Sequence, residues 1–599
     1  MNKKKSALEE TFELAYENYQ KNFYKVAATL CQKILKDDPN HFGSNFLLGL
    51  ISIHHKNYEN SIYFFHKAIK INPNFIATYN NLGGAYKELG KLKEAKNCYT
   101  KALEVNPKYA NAYYNLGNIL KEEGKFEEAN NNYNKAIELY KKDEKDEKNQ
   151  SNYVNVLYSL AGVKRELGKL KEAKNYYEKA VKIKPDYAQA YNNLGLVFKE
   201  LGQFNEAANK YEKAVKIKPD YAIAYHNLGI IYKSLGNFKK TIDAFEKAIK
   251  HEPESLFHYY HLSDFKKEIL DKNVKDKINK ILSNKNTPQI NLAYGNFLLS
   301  KYEQMKKNYA KELDLLFKGH YYYFESTKEK FKKGITYALD QLPNIVKFSN
   351  MGEISKNDDY KLKPIFIVGV PRCGSTLVEK VVAACDTNIP MGEETAILSV
   401  FFEKEKILEK EKITTNDIKN FREKLFDKYN TKGLISEKSN YTFTDKSLEN
   451  FFYLNLIKQV FPLAKVINCK RNYLSSIISI LQNNLTGISW AHDIKNIFKY
   501  FDIYHKMIDD FKKNNSDFVY DLDFEKFVND PEFESKKLIK FCDLTWSKNC
   551  LEFYKRKDVV SQTASNIQIR EAIYKSSIEK HLPYKNFLKK YGQKYSWFN

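Results

Sequence analysis

PIFIVGVPRCGSTLVEKVV, residues 364–382, decides how the second half of this chain folds. Its opening residues are apolar and mostly β-branched or aromatic, as in a short buried parallel strand, and TLVEKVVAAC from Thr376 onward has helical spacing. Strand, glycine turn and helix N-terminus in succession direct backbone N–H groups and a positive dipole end at one spot, which suits an anion. Gly369 and Gly374 have the GxxxxG spacing of a triphosphate-binding loop, but Ser375 stands where that loop places the lysine for the β and γ phosphates. Cys373 in such a turn raises a phosphatase nucleophile, yet the arginine that chemistry needs six residues later is replaced by Glu379. A phosphorylated ligand other than a conventionally held triphosphate is expected.

Composition sets wider bounds. The chain has 599 residues, of which 43% are hydrophobic, enough for several packed domains. Lys+Arg of 98 against Asp+Glu of 74 gives a net charge of +24, which attracts anionic ligands. These basic residues are spread along the chain as solvated helix faces do, so a nucleic-acid partner is not expected. Seven cysteines without a CxxC pair indicate neither a disulfide framework nor a zinc site. MNKKKSALEETFELAYENY lacks the apolar centre of a secretion signal, and no apolar run nears the ~20 residues of a membrane span. A cytoplasmic protein is expected.

Residues 8–255 are periodic. Prolines at 39, 73 and 107, and again at 185, 219 and 253, recur at 34-residue intervals. YNNLG at 79–83 and 191–195, YYNLG at 113–117 and YHNLG at 225–229 recur in step with them, most followed by a small residue and an aromatic, such as Ala95 and Tyr99 or Ala207 and Tyr211. Small residues admit a close helix neighbour, the aromatic fills the space beside them, and proline closes the pair. The pattern resembles the tetratricopeptide repeat, with repeats starting near 8, 42, 76, 110, 154, 188 and 222. An all-α solenoid whose concave face takes a protein or peptide is implied. The charged insertion KKDEKDEKNQ reads as an exposed loop. Residues 256–355 keep helical spacing without a repeat and are expected to bridge to a domain over 356–599.

That domain carries a second resemblance. PRCGSTL with MGEET at 391–395 is similar to the PRSGTTL and CGEET elements of tyrosylprotein sulfotransferases and of bacterial proteins that fuse tetratricopeptide repeats to a sulfotransferase domain. The resemblance implies an α/β fold with a central parallel sheet, a donor that is 3'-phosphoadenosine 5'-phosphosulfate (PAPS), a protein or peptide tyrosine as acceptor, and no metal. Arg372, Cys373, Gly374, Ser375 and Thr376 would form the loop around the 5'-phosphosulfate. TDKSLENFFYLNLIKQVFPLAKVINCKRNYLSSIIS, residues 444–479, resembles the segment that supplies the 3'-phosphate ligands, here Arg471 and Ser479. An arginine fork with a hydroxyl donor suits a phosphate. VYDLDFEKFVNDPE at 519–532 sets Phe524 where an adenine-contacting tyrosine would sit, keeping a ring and losing a hydroxyl. VSQTASNIQIREAIYKSSIEK at 560–580 resembles the segment covering the nucleotide, with Ser565 and Lys580 at phosphate-contacting positions.

Sulfuryl transfer to a hydroxyl needs a base for the acceptor and positive charge at the departing phosphate. The resemblance assigns these roles to Glu394 and Lys446, with Arg372 beside them. Glu394 lies one residue further from Arg372 than the family spacing, which keeps Glu393 as an alternative; a helix-capping role for Glu394 is the bland reading. His492 and His505 are the other candidate bases, on stretches that do not match small-molecule sulfotransferases.

Overall fold

The computed structural model describes residues 2–141, 147–347, 360–385, 389–407, 410, 413–439, 441–555, 570, 572–573 and 578–598. They divide into two compact units, Met1–Ile231 and Tyr232–Asn599.

The first unit is built from helix pairs, from Asn2–Gln20 with Tyr24–Asp37 to Ala188–Glu200 with Phe204–Ile217; a last pair, Ala222–Ser234 with Phe238–His251, crosses the division. The recurrent NLG motif has a steric reason. A Cβ on Gly83 would fall 2.6 Å from the Tyr99 ring, and on Gly117 or Gly195 it would fall 2.7 Å from Tyr133 or Tyr211. Only glycine lets those rings enter the helix-pair interface, where they are buried. The insertion departs from the expected loop: residues 147–150 already belong to helix Glu147–Glu166, because its neighbours Gln150–Tyr158 continue the helical pattern, while 142–146 lie outside the described residues.

The second unit holds the sheet. Strands β1 (Lys363–Gly369), β2 (Thr442–Asp445), β3 (Lys465–Lys470) and β4 (Val519–Asp523) lie in the order β2–β1–β3–β4, all parallel. Every β1 residue from Pro364 to Gly369 is buried, as a strand covered on both faces must be. Register pairs Phe366 with Asp445 and Gly369 with Cys469, so the carboxyl ends of β1, β2 and β3 open at one edge. β1 has β2 on one side and β3 on the other, which makes its carboxyl end a topological switch point, the place where open α/β sheets bind ligands.

The segment expected to be a bridge is part of this unit's core. Leu256, Tyr294, Phe297, Leu316 and Phe331 belong to the same buried cluster as Ile365, Ile467 and Phe501. Its described helices, among them Gln289–Met305 and Tyr309–Ser326, pack into that cluster.

Candidate active site

The chain leaves β1 through Val370–Gly374 and enters helix Ser375–Cys385. Arg372 and Gly374 have positive φ, +70° and +98°, and this left-handed pair turns the chain sharply enough to aim the helix N-terminus back at the strand end. Gly374 is required twice over, since a Cβ there would lie 2.3 Å from the Phe524 ring. Ser375 and Thr376, the first residues of the helix, are buried. The Cys373 thiol faces inward, where a Cβ on Gly369 would come within 2.6 Å of it, and it shares a hydrogen bond with Cys469 of β3. That bond draws Cys373 down against the opposing effect of burial and pushes Cys469 up. The Cys373 side chain thus supports the loop from beneath.

Cations gather around the loop. Arg372 Nε donates to Ser479 Oγ at 2.9 Å, and Arg471 Nη1 donates to the Arg372 carbonyl at 2.9 Å. The Arg471 guanidinium lies 4.8 Å from the centre of the Phe524 ring, a cation–π contact that fixes both. Phe524 is therefore buried between Arg471 and Gly374. Lys580 arrives from the far end of the chain; burial first, then Arg372 and Arg471, hold its pKa down to about 8. The sequence thus brings Arg372, Arg471, Ser479 and Lys580 to one place, while Ser565 lies outside the described residues. Like charges held together in a partly buried site are the physical signature of an anion site.

Helix Tyr473–Gln482, which carries Ser479, is fixed at its end by a residue that sequence reasoning passed over. Glu312, on helix Tyr309–Ser326, accepts from Gln482 Nε2 at 2.7 Å and from Tyr584 OH at 2.8 Å. Burial raises its pKa while those donors and Lys580 oppose the rise.

Across β1 from this cluster, opposite charges alternate. Met391 bridges to Thr444 beside β2, Gly392 N donates to the Thr444 carbonyl at 3.0 Å, and Lys446 N donates to the Glu393 carbonyl at 2.8 Å, so MGEET runs as an extra edge of the sheet. Asp445 is fully buried and accepts from Thr395 Oγ1, Tyr429 OH, Asn450 Nδ2 and the Ser447 amide, which locks the chain on either side of Lys446. Lys446 Nζ lies 3.0 Å from Glu394 Oε1; the lysine side chain is 0% exposed and the glutamate 60%. Burial pulls the Lys446 pKa down, but Glu394, Glu379 and Glu393 outweigh it and leave the ammonium above its ordinary value. Glu393 points elsewhere, to Lys380 Nζ at 3.5 Å, with 19% of its side chain exposed. The following helix, Ile397–Lys404, has Ala396 at its cap, and its first amide, Ile397 N, donates to Thr395 Oγ1 at 3.1 Å, so Glu394 is not the capping group there.

The alternative bases stand apart. His492 is buried against His320, with the two Nδ1 atoms 3.0 Å apart, and burial lowers it to about 3. His505 lies on helix Ile494–Lys513 with Asp509 at 3.3 Å and Tyr473 OH at 3.3 Å.

Comparison with known proteins agrees with this architecture. Residues 364–548 match the Sulfotransferase family, and residues 12–74, 74–142, 163–236 and 222–255 match tetratricopeptide repeat families. An uncharacterized protein of Aquifex aeolicus (strain VF5) is 28% identical over 325 residues, 51% of this chain and 42% of that one. The UDP-N-acetylglucosamine--peptide N-acetylglucosaminyltransferase of Caenorhabditis elegans is 36% identical over 88 residues, 15% of this chain and 8% of its own length. The chain thus spans less than half the length of these curated relatives. Among solved structures, YrrB, a TPR protein with an unusual peptide-binding site, is 26% identical with a TM-score of 0.28, covering 33% of this chain and 96% of that one. No helix among the described residues is long and apolar enough to cross a membrane.

Proposed function

From a chain that joins tetratricopeptide repeats over residues 12–255 to a sulfotransferase-family domain over residues 364–548, we propose a PAPS-dependent sulfotransferase that acts on a protein or peptide tyrosine. The observation that carries the reading is the convergence of Arg372, Arg471, Ser479 and Lys580 at the switch point, a cluster suited to a nucleotide with a phosphate on each side of its ribose. The loop amides and helix N-terminus of Ser375–Cys385, with Ser375 and Thr376, take the 5'-phosphosulfate. Arg471 and Ser479 take the 3'-phosphate, and Lys580 adds a further cation beside them. Phe524, buried between Arg471 and the loop glycine, supports both and does not present the ring face that stacking on the base would need.

In the chemical step Glu394 accepts the proton of the acceptor hydroxyl. The hydroxyl oxygen bonds to sulfur as the bond from sulfur to the phosphate oxygen breaks, giving a sulfate ester and 3',5'-adenosine bisphosphate. Lys446, kept protonated by its carboxylate neighbours, stabilises the charge that grows on the departing phosphate, with Arg372 beside it. No metal is needed for these steps. A tyrosine acceptor is favoured by the MGEET element, and the solenoid supplies a concave face that would hold the acceptor chain. Incubation with sulfur-labelled PAPS and a panel of tyrosine peptides, glycans and small phenols tests this. Label in the peptides is expected; label only in glycans or phenols moves the acceptor class, and no transfer to any acceptor with no bisphosphate binding leaves the domain inactive.

A further inference from the structure

Glu379 occupies the position where a phosphatase loop would carry its arginine. It sits one turn into helix Ser375–Cys385, its side chain is 0% exposed, and no step above uses it. A carboxylate in such a place carries a large desolvation cost unless its surroundings compensate. They do so in part, with donors from two other segments: Glu379 Oε1 accepts from the Glu393 amide at 2.9 Å and from Thr444 Oγ1 at 2.7 Å. The second oxygen, Oε2, is buried with no hydrogen-bond partner among the described residues. Burial leaves the carboxyl pKa above the usual carboxylate value, and the fields of Lys446 and Lys380 oppose that rise without cancelling it.

The Glu393 amide matters because of where it lies. Glu393 has φ of +49°, a left-handed conformation that a non-glycine residue holds only when its neighbours impose it. Its carbonyl accepts from the Lys446 amide at 2.8 Å, and the next residue is Glu394, whose Oε1 meets Lys446 Nζ at 3.0 Å. Thr444, the other donor, is two residues before Lys446, and its Oγ1 also accepts from the Gly392 amide at 3.2 Å. One buried oxygen thus holds the Glu393 backbone amide and the Thr444 hydroxyl, on the two segments that carry Glu394 and Lys446, from the helix whose first turn closes the phosphate loop.

We propose that Glu379 is a positioning residue, which ties the phosphate-loop helix to the strained Glu393 turn and to the end of β2 and so sets the Glu394 carboxylate against the Lys446 ammonium. The assignment rests on the sulfotransfer reading for its effect on rate but not for its effect on the backbone. Glu379→Gln keeps the accepting oxygen and the size of the side chain, whereas Glu379→Ala removes both bonds and leaves the Glu393 amide and the Thr444 hydroxyl to find others.

The test measures kcat, KM, 3',5'-adenosine bisphosphate affinity and hydrogen exchange of residues 389–396 on the full chain. Glu379→Ala is expected to lower kcat ~100-fold, as small misplacements of catalytic groups do. Bisphosphate affinity should stay within about twofold, because the phosphate-binding groups are left in place. Exchange over 389–396 should quicken. Glu379→Gln should recover most of the rate and the wild-type exchange, and Thr444→Val, which removes one donor, should fall between them; Thr444→Val carries the comparison if the alanine variant does not fold. Wild-type exchange and rate in both Glu379→Ala and Thr444→Val overturn the assignment, as does a loss in Glu379→Gln equal to that in Glu379→Ala. A wild-type protein with no turnover would overturn the sulfotransfer reading, while the exchange comparison would still decide whether Glu379 holds the turn.

Discussion

The two sides of the β1 terminus are charged in opposite ways. On one, Arg372, Arg471 and Lys580 lie together, and burial first, then the two arginines, bring Lys580 down to about 8. On the other, Glu379, Lys380, Glu393, Lys446 and Glu394 alternate in sign, and Lys446 is held above its ordinary value. Like charges crowded at a partly buried site are relieved when an anion binds, so that side is built for affinity. Alternating charges satisfy one another and keep Lys446 protonated in spite of its burial, next to the Glu394 carboxylate, so that side is built for chemistry. Variants on the two sides should therefore fail in different measurements.

The largest effect is expected on the carboxylate side. Glu394→Gln keeps size and an accepting oxygen but cannot take a proton, and loss of a general base costs ~100- to 10,000-fold in rate. Affinity for 3',5'-adenosine bisphosphate should stay near wild type. Glu393→Gln serves as the control, with a milder effect because its carboxylate faces Lys380 and not Lys446. A large loss confined to Glu393→Gln would move the base one residue back.

A smaller effect, of the other kind, is expected on the cation side. Arg471→Ala should weaken bisphosphate binding ~10- to 100-fold, since a charge-assisted phosphate contact contributes about 1.5–3 kcal/mol. Adenosine 5'-monophosphate, which lacks the 3' group, should bind nearly as before. Equal weakening of both ligands would place Arg471 elsewhere on the donor, or show that it acts through the Arg372 carbonyl it holds.

The smallest effect is a pH dependence. With its pKa lowered to about 8, Lys580 is protonated and attracts phosphate at pH 7, and it loses that charge as pH rises through 8. Bisphosphate affinity should fall by about threefold or more between roughly pH 7 and 9, and Lys580→Met should remove the step while lowering affinity at pH 7. An unchanged pH profile in Lys580→Met would take Lys580 out of the phosphate site.

What could be read beforehand followed from how far apart the cooperating residues lie in the chain. The strand, turn and helix around Gly369–Ser375 are contiguous, and the solenoid repeats itself, so local pattern sufficed for both. Arg471 and Ser479 could be found because they share one strand-to-helix segment. Glu379 could not be assigned, since its meaning depends on residues 393 and 444 from two other segments meeting one oxygen atom. The same holds for Glu312, whose partners Gln482 and Tyr584 are far along the chain. Nor did spacing reveal that the Cys373 thiol turns inward, because the pairing of Gly369 with Cys469 decides that.

If the switch point of this sheet recognises a nucleotide by a second phosphate, calorimetric titration of the full chain will separate ligands that carry that phosphate from ligands that lack it. At 0.1 M salt, 3',5'-adenosine bisphosphate is expected to bind at least ~10-fold more tightly than adenosine 5'-monophosphate, the contribution of one charge-assisted phosphate site, and Arg471→Ala should abolish most of that difference. Equal affinity of the wild-type protein for the two nucleotides, or no binding of either, would contradict it.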